Sequence, residues 1–252
     1  MLSNKVIVVT GGGSGIGKAA CNIMADAGAS IISADINFDN ARAVAADLEK
    51  RGRDCVPYEV DLAKPDMVAA LFSFIEQKFG RLDGAFNNAG VGGSHKQPDE
   101  LGISEWQRVI DVNLSSVFYC MRHEIALMRK TGGGAIVNTS SVCGVVGIPC
   151  AIEYVAAKHG VIGATRAGAV DTATTGVRVN AVLPGMTRTP MVEGALNAPE
   201  FEANYQTFVA RHSVGRIGEP EDIAYAVKWL LSDEARFVNG AVIPIDGGYT
   251  AA

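Results

Sequence analysis

The sequence predicts an α/β fold, in which parallel strands alternate with helices. Short apolar runs rich in β-branched residues recur along the chain, and segments with helical spacing of apolar residues separate them. A glycine-rich turn joins the first such run to the first helical segment. With 252 residues, 48% of them hydrophobic and 19% charged, the chain can bury a large core as one α/β domain or as two smaller ones.

The composition excludes several classes of partner. The net charge of −5 and the lack of a basic run argue against nucleic-acid binding. No apolar run approaches the ~18 residues of a membrane span, and the first strand begins by about residue 5, which leaves no space for a signal peptide. We therefore expect a soluble cytoplasmic protein that does not bind membranes.

The cysteines and histidines show no spacing typical of a disulfide framework or a metal site. The five cysteines are scattered and contain no C-x-x-C pair, so we expect reduced thiols. The four histidines show no H-E-x-x-H or similar spacing. We therefore predict that the protein binds no metal.

The glycine-rich turn extends from Thr10 to Gly17, between a strand predicted over residues 5–9 and a helix predicted over residues 18–27. Glycine removes the Cβ atoms that would keep a diphosphate from the backbone, and a helix start supplies unpaired N–H groups and a positive dipole end. The literal G-x-G-x-x-G spacing is absent, because Lys18 stands where the register beginning at Gly13 needs its third glycine. We predict a dinucleotide site; the alternative is a glycine-rich turn without function.

Asp35 follows the second predicted strand and lies 18 residues beyond Gly17. This is close to the ~20 residues at which an acidic side chain binds the adenosine ribose hydroxyls of NAD. A carboxylate repels the 2′-phosphate of NADP, and the neighbouring Ile36 offers no cation to attract it. The sequence therefore favours NAD over NADP, the alternative being a solvent-facing aspartate at a strand end.

The remaining elements continue the alternation of strands and helices. Strands are predicted over residues 30–34, 54–60, 82–86, 134–138, 177–183 and 240–246. Helices are predicted over residues 39–51, 64–79, 104–129 with Ser104 as the N-cap, from about 153 onward, and 219–231. Residues 91–102 are predicted to form a loop, and residues 190–212 a mobile loop over the substrate.

Polar residues follow several of the predicted strands. Asp61 and Leu62 follow the third strand, where an adenine contact is expected, and the pair Asn87 and Asn88 follows the fourth. Asn113 stands inside the helix predicted over residues 104–129, although asparagine is a poor helix former. Taken alone, Asn113 is more typical of a satisfied polar residue than of a catalytic one.

Tyr154 and Lys158 are four residues apart in a predicted helix and therefore share one face. The phenol must lose about three pKa units to act as a base near neutrality, which is roughly 4 kcal/mol. A cation ~4 Å away at an effective dielectric near 20 supplies about that much. We therefore expect Lys158 to lower the pKa of Tyr154.

Together these residues resemble the short-chain dehydrogenase/reductase family over nearly the whole chain. Its markers stand here as Thr10-Gly11-x-x-x-Gly15-x-Gly17, Asp61-Leu62, Asn87-Asn88-Ala89-Gly90, Asn113, Ser141, Tyr154-x-x-x-Lys158 and Pro184-Gly185. The resemblance implies a Rossmann-type, doubly wound sheet of seven mainly parallel strands with helices on both faces. It also implies one NAD(P)-binding domain over residues 1–252, an Asn–Ser–Tyr–Lys active site and a homotetramer.

The resemblance also implies a role for each site residue. Tyr154 would be the acid/base, and Lys158 would lower its pKa and hold the nicotinamide ribose. Ser141 would bind the substrate oxygen, and Asn113 would hold a water in a proton relay. Implied cofactor contacts are Gly11, Ser14, Gly15, Ile16, Gly17, Asp35, Asp61, Leu62, Asn88, Gly90, Tyr154, Lys158, Pro184, Gly185, Thr187 and Thr189.

The substrate is expected to be a small alcohol or ketone. Residues 84–88 and 153–155 resemble those of bacterial members that oxidise cyclic alcohols and diols. Candidate pocket residues are Gly92, Gly93, Ser94, His95, Ser141, Val142, Cys143, Pro149, Glu153, Tyr154, Met186 and Met191. For His95 and Glu153 the alternative to a place in the pocket is a simple surface position. Because few are charged, we expect a mostly apolar, uncharged substrate. The alternatives are an NADPH-dependent reductase of 3-oxoacyl chains and a non-catalytic dinucleotide-binding regulator.

Overall fold

The computed structural model describes residues 1–196 and 199–251 of the chain. Its strands are β1 (Val6–Thr10), β2 (Ser30–Asp35), β3 (Cys55–Glu59), β4 (Gly84–Asn87), β5 (Gly134–Thr139), β6 (Val177–Pro184) and β7 (Val242–Ile245). Its α-helices are α1 (Gly15–Asp26), α2 (Phe38–Lys50), α3 (Pro65–Phe79), α4 (Ile103–Ile110), α5 (Ser116–Lys130), α6 (Ile152–Thr172), α7 (Pro190–Leu196), α8 (Pro199–Ala210) and α9 (Pro220–Leu231). Strands and helices therefore alternate as the sequence predicts.

The strands form one parallel sheet in the order β3-β2-β1-β4-β5-β6-β7. The chain adds strands outward from β1 to β3 and then returns to the other side of β1 with β4. Such a reversal opens a crevice at the carboxyl ends of the two central strands, where ligands of open α/β sheets bind. The predicted doubly wound sheet of seven strands is confirmed.

Apolar side chains cover both faces of the sheet. On one face, α1 and α9 pack together over residues that include Ile7, Val9 and Phe86. On the other face, α3, α5 and α6 cover residues that include Val8 and Ile136. Burial on both faces explains why the strands appear in the sequence as continuous apolar runs and not as alternating ones.

The helix predicted over residues 104–129 is in fact divided. A π-helical turn, Asp111–Ser115, separates α4 from α5, and it holds Asn113 completely buried. The helix also begins one residue earlier than predicted, because the Gly102 N–H donates to Glu105 Oε2 (3.1 Å). Ser104 is therefore not the N-cap. The π turn is a local irregularity that apolar spacing does not reveal.

The segment predicted as a mobile loop over residues 190–212 contains two helices, α7 and α8, and its role over the substrate stays a prediction. Pro190 and Pro199 stand at the first position of these helices, where the missing proline N–H has no intrahelical partner to lose. Residues 197 and 198 of the predicted loop lie outside the described part of the chain.

Candidate active site

Hydrogen bonds join the carboxyl ends of β1 and β4 at the crevice. The Thr10 hydroxyl accepts from the backbone N–H groups of Asn88 (2.9 Å) and Ala89 (3.2 Å). The Asn88 amide nitrogen donates back to the Thr10 carbonyl (3.1 Å). The predicted site residue Asn88 thus holds the first strand at the point where the glycine turn begins.

The glycine turn leaves no room for side chains, as Gly17 and Gly11 show. A Cβ on Gly17 would lie 2.0 Å from the Gly11 carbonyl oxygen, and one on Gly11, which has φ +64°, would lie 3.0 Å from Ala89 Cα. These positions require glycine, because L-residues rarely adopt that φ and real Cβ atoms do not approach backbone so closely. Tertiary packing therefore explains two glycines of the motif.

The first turn of α1 has the geometry expected for a diphosphate site. Among the described contacts, the Ser14 side chain makes no capping hydrogen bond, so it leaves the first N–H groups of α1 unpaired. Gly15 has φ +49°, and a Cβ built there would lie 3.1 Å from Thr189 Cγ2. Thr189 thus lies against the glycine turn, and the cradle fits a dinucleotide diphosphate.

Asp35 lies beside the same turn. Its Oδ2 accepts from the Gly13 N–H (2.9 Å) and its Oδ1 from the Asn37 N–H (2.9 Å). Two backbone donors therefore fix the carboxylate at the end of β2, next to the glycines. Asp61, two residues beyond β3, accepts from the Ala63 N–H (3.1 Å), and the adjacent Leu62 is buried.

Ser141, Tyr154 and Lys158 lie together at the end of β5 and on α6. Lys158 Nζ donates to the Thr139 carbonyl (2.9 Å) and lies 5.5 Å from the centre of the Tyr154 ring. The Tyr154 hydroxyl interacts with the Ser141 side chain, which also accepts from the Cys143 N–H (3.1 Å). The structure therefore brings three of the four predicted catalytic residues into one group.

Burial controls the protonation of this group. It raises the pKa of Tyr154 to about 12, against a smaller lowering by Ser141, and it lowers the pKa of Lys158 to about 8. Our expectation that Lys158 brings the phenol close to neutrality is therefore wrong for the chain alone. The ammonium lies over the ring, 5.5 Å from its centre, and is itself desolvated, and burial is the largest cause of the raised pKa of Tyr154.

Asn113 binds backbone with both ends of its amide. Its Oδ1 accepts from the Val91 N–H (3.1 Å), and its Nδ2 donates to the Val91 carbonyl (3.0 Å). A Cβ on Gly90 would lie 2.7 Å from Asn113 Oδ1 and 3.7 Å from Lys158 Nζ. Asn113 therefore fixes the segment after β4 next to the lysine.

The predicted residues after β6 lie at the same edge of the sheet. The Gly185 N–H donates to the Ile245 carbonyl (3.0 Å), and the buried Thr187 hydroxyl donates to the Gly185 carbonyl (3.1 Å). Met186 lines a cavity of about 410 Å³ between the ends of β6 and β7. Met191 is 51% exposed.

The two ambiguous pocket residues have different environments. His95 is exposed, whereas Glu153 is completely buried beside Tyr154. Glu153 Oε1 accepts from the Ser94 N–H (2.6 Å), so this carboxyl binds the loop that follows β4. Sequence reasoning missed a further buried group, Glu124, although its position among apolar residues of α5 was a signal.

The described residues form neither a membrane-spanning helix nor a metal-binding cluster. No described helix is long and apolar enough to cross a membrane. Within residues 1–196 and 199–251, His, Cys, Asp and Glu side chains do not gather in threes that could hold a metal ion. All five cysteines are free thiols.

Comparison with known proteins agrees with this geometry. A family profile described as enoyl-(acyl carrier protein) reductase matches residues 11–250. Cyclohexanol dehydrogenase of Acinetobacter sp. strain SE19 is 43% identical over 99% of this chain and 96% of its own length. A 2,5-dichloro-2,5-cyclohexadiene-1,4-diol dehydrogenase of Sphingobium indicum is 42% identical over 99% of this chain and 98% of its own.

Solved structures have the same fold. Levodione reductase superposes with a TM-score of 0.97 at 36% identity, covering both chains completely. A structure from Beutenbergia cavernae that holds NADP at low occupancy has a TM-score of 0.93 at 33% identity, covering 100% of this chain and 98% of its own. The fold and site thus define a dinucleotide-dependent oxidoreductase. The chain belongs to the short-chain dehydrogenase/reductase family.

Proposed function

We propose that this enzyme interconverts a secondary alcohol and its ketone, with Tyr154 as the acid/base. The proposal rests on one observation: residues 88–90 connect the glycine turn to the Tyr154–Lys158 pair. Asn88 lies on the glycine turn, and Gly90, two residues later, lies next to Lys158 Nζ. The dinucleotide cradle and the Tyr–Lys pair therefore adjoin at one edge of the sheet.

The side chains divide the proton chemistry between them. Ser141 Oγ binds the substrate oxygen, which places that oxygen next to the Tyr154 hydroxyl. Tyr154 takes the hydroxyl proton during oxidation and returns it during reduction. Lys158, fixed by the Thr139 carbonyl, supplies positive charge beside the ring, and Asn113 holds the segment after β4 in place. A bound nicotinamide supplies the acceptor or donor of hydride.

We propose NAD as the preferred cofactor. Asp35 is held at the glycine turn by two backbone N–H groups, so its carboxylate cannot turn away from a ligand there without losing both bonds. Its charge favours the ribose hydroxyls of NAD and repels a 2′-phosphate. A clear preference for NADPH would instead support the reductase of 3-oxoacyl chains.

We propose a small cyclic alcohol or diol as the substrate. Val142 and Cys143, next to Ser141, are buried and apolar, and burial raises the pKa of the Cys143 thiol, so the thiol stays neutral. The relatives named for cyclohexanol and for a cyclohexadiene diol support this class. Turnover of an anionic sugar acid but not of cyclohexanol-like alcohols would contradict it.

Replacing Tyr154 by Phe tests the catalytic assignment. Because the variant lacks the proton-transferring hydroxyl, kcat/KM for a cyclohexanol-like alcohol should fall by about 10²- to 10⁴-fold. The dissociation constant for NADH should change little, as measured by fluorescence titration. Tyr225→Phe, at an exposed position of α9, is the matched control. Turnover near the wild-type level in Tyr154→Phe would exclude Tyr154 as the acid/base.

We further propose a cytoplasmic homotetramer. The five free thiols are consistent with a reducing compartment, and several large apolar side chains are exposed on helices.

A further inference from the structure

A buried polar cluster lies at the ends of β4 and β5, on the face that α5 and α6 cover. Asn87, the last residue of β4, donates from Nδ2 to Asn138 Oδ1 in β5 (2.9 Å) and to Glu124 Oε2 in α5 (3.0 Å). Asn138 donates to Thr165 Oγ1 in α6 (2.9 Å). Glu124 and Asn138 are fully buried and Asn87 is 3% exposed. The cluster therefore connects two strands and two helices inside the protein.

Two oxygen atoms of this cluster have no hydrogen-bond partner among the described residues: Glu124 Oε1 and Asn87 Oδ1. Both atoms are acceptors if Glu124 is ionised, and buried acceptors without partners are destabilising. A protonated Glu124 instead has one O–H donor. A primary amide presents an N–H and a C=O side by side, which complements the C=O and O–H of a carboxylic acid.

The surroundings also favour the neutral acid. Burial raises the pKa of Glu124 to about 8, and the Asn87 hydrogen bond opposes this rise only in part. The titratable group coupled to Glu124 from α5 itself is the Cys120 thiol, whose pKa burial and the Glu124 charge both raise. From β4, β5 and α6 the cluster receives the uncharged side chains Asn87, Asn138 and Thr165. Among the described groups, no cation contributes to stabilising an ionised Glu124.

We propose that Glu124 is a positioning residue that keeps its proton at neutral pH and pairs with Asn87 as a carboxylic acid with an amide. Asn87 Nδ2 donates to Glu124 Oε2, as observed, and Glu124 Oε1–H donates to Asn87 Oδ1. One proton thus satisfies both oxygen atoms that otherwise lack partners. The second Nδ2 hydrogen of Asn87 stays on Asn138.

The pair is connected to the glycine turn through Asn88, the next residue in the chain. Asn88, which follows Asn87, holds Thr10 through its backbone N–H (2.9 Å) and its side-chain amide (3.1 Å). Loss of the Glu124 proton sets one acceptor against another and displaces the Asn87 side chain. The positioning role of Glu124 rests on the proposed dinucleotide site. The affinity of that site for NADH should fall as pH rises through about 8.

The stability of Glu124→Gln relative to the wild type tests whether Glu124 is protonated in the folded protein. Glutamine has the same shape and supplies an N–H donor in place of the O–H, so it resembles the protonated form at every pH. Because the pKa of Glu124 is raised from 4.5 to about 8, the folded wild type binds more protons than the unfolded chain between these values. Its stability must therefore fall as pH rises through that window.

The expected result is a difference that grows with pH. The unfolding constant of the wild type relative to Glu124→Gln should increase by up to about tenfold per pH unit in this window and level off above it. Glu49→Gln, at an exposed position of α2, is the control and should show a much smaller pH dependence. A flat difference, with the Glu124 variant less stable at pH 7, would mean that Glu124 is ionised and would overturn the proposal.

Infrared spectroscopy tests the same proton on the wild-type protein, even if the variant does not fold. At pH 7 the spectrum should contain the carbonyl band of a protonated carboxylic acid, shifted in D₂O. Raising the pH should remove the band. Absence of the band at pH 7 would overturn the proposal.

Titration with NADH between pH 7 and 9 tests the positioning role. The dissociation constant should rise several-fold for the wild type and stay nearly constant for Glu124→Gln. Equal pH profiles for the two proteins would overturn the positioning role. If neither protein binds NADH while the acid band is present, then the proposed dinucleotide site fails and the acid–amide pair stands.

Discussion

At the scale of single residues, burial shifts the pKa of both titratable groups among the proposed catalytic residues. Tyr154 has a pKa of about 12 and Lys158 one of about 8, and desolvation is the largest cause of both shifts. In the chain alone the phenol is therefore protonated at neutral pH, which suits proton donation to a ketone oxygen. Oxidation requires the pKa of the phenol to fall, and an added positive charge close to the hydroxyl lowers it.

The proposed preference for NAD can be tested with Asp35→Asn, which replaces one carboxylate oxygen of Asp35 by an amide nitrogen. In Asp35→Asn the amide oxygen can still accept from the Gly13 N–H, but the charge that repels a 2′-phosphate is gone. We expect the ratio of kcat/KM values for NAD over NADP to fall about tenfold or more. Steady-state kinetics with both cofactors measures this ratio.

Asp39→Asn is the matched control for this experiment. Asp39 is also an acidic residue near the start of α2, but it is exposed and pairs with Arg42 (2.9 Å). The ratio should stay close to the wild-type value in this variant. An unchanged ratio in Asp35→Asn would remove the carboxylate as the source of the preference.

At the scale of secondary-structure elements, buried polar side chains connect the elements around the site. Asn113 in the π turn binds Val91, and Glu153 at the start of α6 binds Ser94. Both partners belong to the segment after β4, which contains no regular element up to α4. Two side chains from separate helices therefore fix this loop next to Tyr154.

Replacing Glu153 by Ala should loosen the loop. The change leaves the Ser94 N–H without its acceptor, which costs about 1–3 kcal/mol when the group stays buried, so the loop is expected to move. We expect KM for the alcohol to rise about tenfold while the dissociation constant for NADH changes little. Steady-state kinetics and fluorescence titration separate the two effects.

Glu153→Gln is the matched variant, because its amide oxygen can still accept from the Ser94 N–H. It should have a KM between those of the wild type and Glu153→Ala. If the Ala variant keeps the wild-type KM, the contact does not control the loop's part in substrate binding.

At the scale of the whole molecule, the parallel sheet gathers distant parts of the chain at one edge. The glycine turn, the segment after β4, Ser141 and Thr187 each follow the end of a strand, and all the strands run in the same direction. In contrast to the apolar side chains buried against the sheet, several large apolar side chains on the outer helices are exposed to solvent. Phe118 on α5 is 58% exposed, and Phe237 after α9 is fully exposed.

These exposed side chains predict self-association through more than one surface. Val170 on α6, which packs against α5, is 78% exposed, and Tyr225 on α9 is 57% exposed. Exposed apolar side chains therefore stand on several separate helices. Two separate interfaces generate a tetramer of dihedral symmetry. Light scattering should therefore give a mass of four chains of 26.4 kDa.

Phe118→Glu should reduce this mass to that of two chains, because a buried unpaired charge is costly at an interface. Ile103→Glu on α4, at an apolar position that is 84% exposed, is the control and should leave the mass unchanged. A wild-type mass of one chain would contradict self-association.

The sequence by itself determined the order and type of most elements, the glycine turn and the position of Asp35. These features depend on the spacing of apolar residues and on the conformational freedom of glycine, and both are properties of residues close together in the sequence. Only the tertiary structure decided the π turn at Asn113, the two helices within residues 190–212, the raised pKa of Tyr154 and the pairing of Glu124 with Asn87. Desolvation and hydrogen-bond partners come from residues far apart in sequence, and they become neighbours only when the sheet and its covering helices are assembled.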